Sequence, residues 1–217
     1  MTVVTARRNL VWRSLEFGVL FFGIPLWVYL DKDFIHPSIL VLPVLAFIFI
    51  VMRRTTSFQW KELIYWNIGW PTLLKHGAIV GTVFFLFLGY VLKFERENLF
   101  NLIRNNPMIF LAMSFFYPVF SAYGQELIYR TFLQHRYRIL FPRDWHFILA
   151  SGVTFSFLHI VYYDPVSMIL TLIGGLYFAR VYLDTRSVLF SSLLHSAMGL
   201  IVFLVGMGQY FWLDMPV

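Results

Sequence analysis

His76-Gly-Ala-Ile-Val-Gly-Thr-Val-Phe-Phe-Leu-Phe-Leu-Gly-Tyr-Val-Leu92 is a run without a single charged side chain. As a helix rising about 1.5 Å per residue, it reaches most of the way across the roughly 30 Å of hydrocarbon in a bilayer. Lipid offers no partner for backbone N–H and C=O groups, so such a run satisfies them internally as a helix. It lacks the alternation of a membrane barrel strand. Six further apolar segments flank it: residues 14–30, 37–52, 107–125 with a helical extension to about 137, 145–162, 165–183 and 188–211. The second is the shortest. The expected fold is all-α: a polytopic, membrane-embedded helical bundle of about seven transmembrane helices.

Composition supports this reading. The 217 residues are 59% hydrophobic and 13% charged, with a mean hydropathy of +0.72. Soluble domains carry roughly 25% charged residues, and the 25 Phe exceed what one soluble core of this size hides. A surface that faces lipid accepts them. Cysteine is absent, which excludes disulfides, thiolate nucleophiles and Cys-based zinc sites. The net charge of +6 is spread over segment ends, at Arg7, Arg8, Arg13, Arg53, Arg54 and Lys61. That placement fixes orientation in a bilayer and argues against nucleic-acid binding.

The N-terminal basic residues and the apolar run after them lack a small-x-small cleavage site; Asp31-Lys32-Asp33 follows instead. An uncleaved first span is expected. If all seven segments cross, Lys32, Lys93, Arg96 and Arg104 lie on one side and the other thirteen Lys and Arg on the other. The positive-inside rule then puts the N-terminus in the cytoplasm, with a bacterial inner membrane as the expected location. Residues 59–74, with Trp60, Trp66 and Trp70 beside Lys61 and Glu62, suit an interfacial helix or elbow. Trp27, Tyr29, Trp145, Tyr162, Tyr163, Tyr210 and Trp212 stand at segment ends, as interfacial anchors do. No repeat or linker divides the chain, so residues 1–217 read as one membrane-embedded domain.

Ionisable side chains inside membrane helices cost several kcal/mol unless paired, and they mark functional sites. Glu126, Arg130, His159 and His195 stand out in this respect. Glu126 and Arg130, four apart, share a helix face and can form a structural ion pair, or Arg130 can snorkel to the surface. A single buried histidine is more often a packing residue than a catalyst. Two histidines and a glutamate from three different spans favour a site. The three converge only if helices tilt or the fourth bends, and Pro118 offers a place for a bend. His36, His76, His135 and His146 read as solvated or interfacial, while Tyr129, Gln134 and Ser196 are nearby candidate donors.

The stretch Gln125-Glu126-Leu127-Ile128-Tyr129-Arg130 resembles the Glu-Glu-x-x-x-Arg motif of the CPBP intramembrane proteases. That family includes the type 2 CAAX prenyl endopeptidases and the bacterial Abi proteins. Phe155-x-x-x-His159 is similar to the second family motif, and His195-x-x-x-Gly199 to the third in its histidine. The resemblance covers about 107–208, while the N-terminal spans, 14–92, match nothing. Two positions depart from the pattern. Gln125 stands where the family has a first glutamate, taken as the water-activating base. Gly199 replaces a closing Asn that helps hold the developing oxyanion.

The resemblance implies an intramembrane endopeptidase acting on a membrane-associated protein or peptide. Its catalytic residues would be Glu126, His159 and His195, with Arg130, Gln125, Phe155 and Gly199 in support. Glu126 would activate water and the histidines would orient it and stabilise the oxyanion. No cofactor is expected, because no His-Glu-x-x-His spacing exists and a ligating Glu126 would leave no base. The alternative is zinc held by Glu126, His159 and His195. Two other function classes remain open: an inactive family member serving as membrane scaffold or chaperone, and a small proton-coupled transporter, which the absence of repeats weakens.

Overall fold

The computed structural model describes residues 3–31, 37–55 and 57–211, with the backbone alone for residues 3–8 and 37–42. Lys32, Asp33, His36 and Trp212 lie outside the described residues. In chain order, α1 (Val3–Gly18) continues through a π-helical turn, Val19–Gly23, into α2 (Ile24–Leu30), and α3 (Pro37–Arg53) follows. A 3₁₀ turn at Trp60–Ile64 leads to α4 (Trp70–Phe94), and α5 (Asn101–Asn105) comes next. One long helical run then joins α6 (Pro107–Phe116), a π turn at Tyr117–Tyr123, α7 (Gly124–Glu126), a second π turn at Leu127–Phe132 and α8 (Leu133–Tyr137). After it come α9 (Asp144–Leu158), a 3₁₀ turn at His159–Tyr162, α10 (Pro165–Thr185) and α11 (Val188–Val205). No strand occurs among the described residues, and the protein is an all-α, polytopic membrane protein.

Among the described residues, six helical stretches are long and apolar enough to span: Asn9–Leu30, Trp70–Phe94, Pro107–Tyr137, Asp144–Tyr162, Pro165–Thr185 and Val188–Val205. The second expected span corresponds to α3. The whole of α3 has 17 residues, the lower limit for a crossing. Large apolar side chains such as Phe85, Leu86, Phe115 and Phe120 are exposed, as a lipid-facing surface requires. Hydroxyls inside the helices bond the carbonyl one turn back: Thr82 to Ala78, Ser114 to Phe110, Thr154 to Ala150 and Ser196 to Ser192. Each is thereby satisfied without water.

The chain forms two compact units. One comprises Lys61–Glu126 and Asp184–Val217. Within it, α11 packs on the Tyr117–Tyr123 turn and on α4. Ser187 caps α11 by accepting from the Phe190 N–H at 3.1 Å, and its own hydroxyl donates to the Tyr65 carbonyl at 2.6 Å. The helix was expected to run to 211 but stops at Val205. Gly206 closes it with φ +107, and a Cβ there would lie 2.7 Å from the Asn98 carbonyl carbon. Only glycine meets both conditions. Beyond it, Glu95 accepts from the hydroxyls of Tyr90 (2.8 Å) and Tyr210 and from Gln209 Nε2 (2.8 Å), which clasps the end of α4.

The other unit comprises Met1–Trp60 and Leu127–Leu183. Glu16, inside the first span, accepts from Arg136 Nε and Nη2 at 2.8 and 2.7 Å and from the Tyr137 hydroxyl at 2.6 Å. This bidentate pair neutralises a carboxylate that lipid would otherwise reject. Helices α9 and α10 meet backbone to backbone at two glycines. A Cβ on Gly175 would lie 3.0 Å from Gly152 Cα, and one on Gly152 would lie 2.6 Å from Leu176 Cδ2. Small residues permit this approach, as they commonly do between membrane helices.

Candidate active site

Glu126 closes α7 with no exposed surface. Its Oε2 accepts from the Ser191 hydroxyl, and its Oε1 accepts from His195 Nδ1 at 3.1 Å. Ser191 and His195 are four apart on α11, so one helix face presents both donors to the carboxylate. A buried charge is tolerable only with such donors. The carboxylate fixes a proton on Nδ1 of the ring. The Tyr117 ring stands edge-on to His195, with centroids 6.1 Å apart and planes at 81°. Its phenol end fills the space over Gly199, where a Cβ would come within 2.6 Å of Tyr117 Cζ. Gly199 is therefore required by the tyrosine. Gln125 donates from Nε2 to Ser121 Oγ at 3.2 Å, while its buried Oε1 meets no hydrogen-bond donor among the described residues.

Arg130 and His159 belong to the other unit. Arg130 has no exposed surface and does not reach a solvated face. Its Nη1 donates to the Tyr129 carbonyl at 3.3 Å and to Ser151 Oγ, and its guanidinium lies 5.3 Å from the Phe155 ring centroid and 6.0 Å from that of Phe178. Desolvated cation–π contacts of this kind are worth up to about 2 kcal/mol. His159 sits where α9 gives way to the 3₁₀ turn, and not in mid-helix. Its Nδ1 donates to the Phe155 carbonyl at 2.8 Å. Phe155 thus packs on Arg130 with its ring and orients His159 with its carbonyl.

Residues 107–201 match the family model described as type II CAAX prenyl endopeptidase, Rce1-like. Over that stretch, which is less than half of the 217 residues, the chain is similar to this family. No curated protein and no solved structure matches the chain. The Rce1-like stretch contains Glu126, Arg130, Phe155, His159, His195 and Gly199. The family is one of membrane proteases, and the multi-pass helical architecture agrees with an enzyme working on membrane-associated peptides or proteins.

Within the Rce1-like core the structure joins Glu126 to His195 in one unit and joins Arg130, Phe155 and His159 in the other. Pro118 lies in the π turn that begins at Tyr117, a wider turn that accommodates a residue without an N–H. Sequence reasoning missed Ser191, Tyr117, Ser151 and Glu16. The spacing Ser191-x-x-x-His195 is a usable signal, because it repeats the helical turn. His76, expected at an interface, is buried with its ring edge-on to Phe190 at 5.5 Å. His135 meets Ser57 Oγ at 3.1 Å, and His146 lies against Trp145. Among the described residues no group of three or more His, Asp or Glu side chains gathers to hold a metal ion.

Proposed function

We propose that the protein is an intramembrane endopeptidase that hydrolyses peptide bonds of a membrane-associated protein or peptide. The observation that carries this reading is the Glu126–His195 pair, buried and contributed by two spans of an Rce1-like core. Glu126 holds the Nδ1–H of His195 and so orients the ring whose Nε2 takes a proton from water. Ser191 fixes the second carboxylate oxygen. The hydroxide attacks the scissile carbonyl, the C–N bond breaks, and the leaving amine takes the proton back from Nε2. His159, oriented by Phe155, assists at the substrate, and Arg130 holds the helix end that carries it. The reaction is metal-free in this reading; stoichiometric zinc in the purified protein would overturn that part.

The same reading puts the N-terminus in the cytoplasm of a bacterial inner membrane, with seven crossings. A second reading rests on Gln125, which stands where the family has its first glutamate: an inactive member that binds or escorts membrane proteins. Labelling of new protein N-termini in membranes from cells making wild-type protein, Glu126→Gln or His159→Ala separates the two. The protease produces new termini that fall on the order of a thousandfold in rate, or disappear, in both variants. Biological function retained in both variants, with no wild-type-specific termini, contradicts it and supports the scaffold.

A further inference from the structure

We infer that Tyr29, in the first span and outside the Rce1-like stretch, is a positioning residue for His159; this rests on the hydrolytic reading above. His159 opens a single 3₁₀ turn, His159–Tyr162, that stands between α9 and α10. Such a turn has poorer hydrogen-bond geometry than an α-helix, so its hold on a side chain depends on what packs against it. The first span, which belongs to the same compact unit, supplies that packing. Helix α2 lies against the turn, and Phe22, just before α2, sets its ring 5.1 Å from that of Phe157. Tyr29 makes the closing contact. Its ring stacks on that of Tyr163, with centroids 4.5 Å apart and planes at 27°, and its carbonyl accepts from the Tyr163 hydroxyl.

Tyr163 needs such a hold. It ends the turn at φ 57 and ψ 22, in the left-handed region, and its N–H donates to the Ile160 carbonyl at 3.0 Å. A bulky residue is strained there and persists only where its surroundings fix it. Glycine would take this conformation freely, yet it would bring neither the ring nor the hydroxyl that meets Tyr29. The next residue is fixed as well: Asp164 Oδ1 accepts from the Val166 N–H at 2.7 Å, which caps α10. Inside the turn, the Tyr162 ring lies 5.7 Å from that of His159. The links thus run from Tyr29 through Tyr163 to the turn, and the turn sets the imidazole that donates to the Phe155 carbonyl. Interfacial anchoring accounts for an aromatic residue at 29 or 163. It does not account for a left-handed tyrosine whose hydroxyl is held by a carbonyl of the first span.

The test uses the full-length protein and two readouts. One is the nitrogen-15 resonances of the His159 ring in detergent micelles, identified as the signals lost in His159→Gln. The other is kcat and KM in proteoliposomes for a peptide spanning a cleavage site found by terminus labelling. Tyr29→Ala removes the stacked ring, and the His159 resonances are expected to move. With KM unchanged, kcat is expected to fall on the order of tenfold to a hundredfold, the larger figure being the effect of a misplacement of about 1 Å. Tyr29→Phe keeps the ring and the carbonyl and is expected to match the wild type in both readouts. Where Tyr29→Ala does not fold, Tyr29→Leu keeps apolar bulk without a ring to stack and carries the same expectation. His159 resonances that stay in place in the folded variant overturn the role of Tyr29 alone. Glu126-dependent cleavage with an unchanged kcat in that variant overturns it too. Absence of any Glu126-dependent cleavage by the wild type overturns this role together with the protease reading.

Discussion

Ser191 shows how one hydroxyl governs a buried carboxylate. It supplies one of the donors that make Glu126 tolerable with no exposed surface. Ser191→Ala leaves Glu126 Oε2 short of that bond, and the expected cost is about 1.5–3 kcal/mol, the range for hydrogen bonds to charged groups. Thermal unfolding in detergent measures it; an unchanged midpoint would show that Ser191 does not hold the carboxylate. The ionisable residues were legible in the sequence, because a charge in an apolar run is conspicuous, whereas Ser191 was missed although its four-residue spacing puts it on one face with His195. The partners of Tyr117 and Glu16 were not legible. Tyr117 meets Gly199 and Glu16 meets Arg136 across long stretches of chain, and no local pattern encodes such contacts.

Helices α9 and α10 cross at Gly152 and Gly175, and the backbones there are in contact. Gly175→Val forces a branched side chain against Gly152 Cα and the Phe155 ring, which itself supports Arg130 and His159. Overpacking of this kind costs typically 1–3 kcal/mol. The melting temperature is expected to fall, and Gly175→Ala should do less harm; equal stability of Gly175→Val and wild type would mean the helices part without cost. The helices themselves follow from long apolar runs and from Pro at the first turn of α4, α6 and α10. The π turns do not, because a shift from i+4 to i+5 bonding depends on what packs against the turn. The end of α11 at Gly206 could be read only once the Asn98 backbone was known to pass beside it.

For the whole molecule, orientation turns on the shortest of the expected spans. If α3 crosses, the thirteen basic residues and the N-terminus share the cytoplasmic side. If α3 lies along the surface, the same positive-inside rule moves only the residues before it to the other face. The cysteine-free chain makes this accessible to single reporters. Asn9→Cys is expected to label from the same side as Arg143→Cys and opposite to Glu97→Cys; an Asn9 reporter on the Glu97 side would show that α3 does not cross. Apolar bulk made the membrane and the helices legible, whereas α3 sits at the length where composition stops deciding. The central claim, that the Glu126–His195 pair activates water for peptide hydrolysis, is tested most directly in proteoliposomes made in oxygen-18 water with a substrate found by terminus labelling. The account predicts one labelled oxygen in the new C-terminal carboxylate with wild-type protein and no product with Glu126→Gln. Unlabelled product, or equal product from Glu126→Gln, would contradict it.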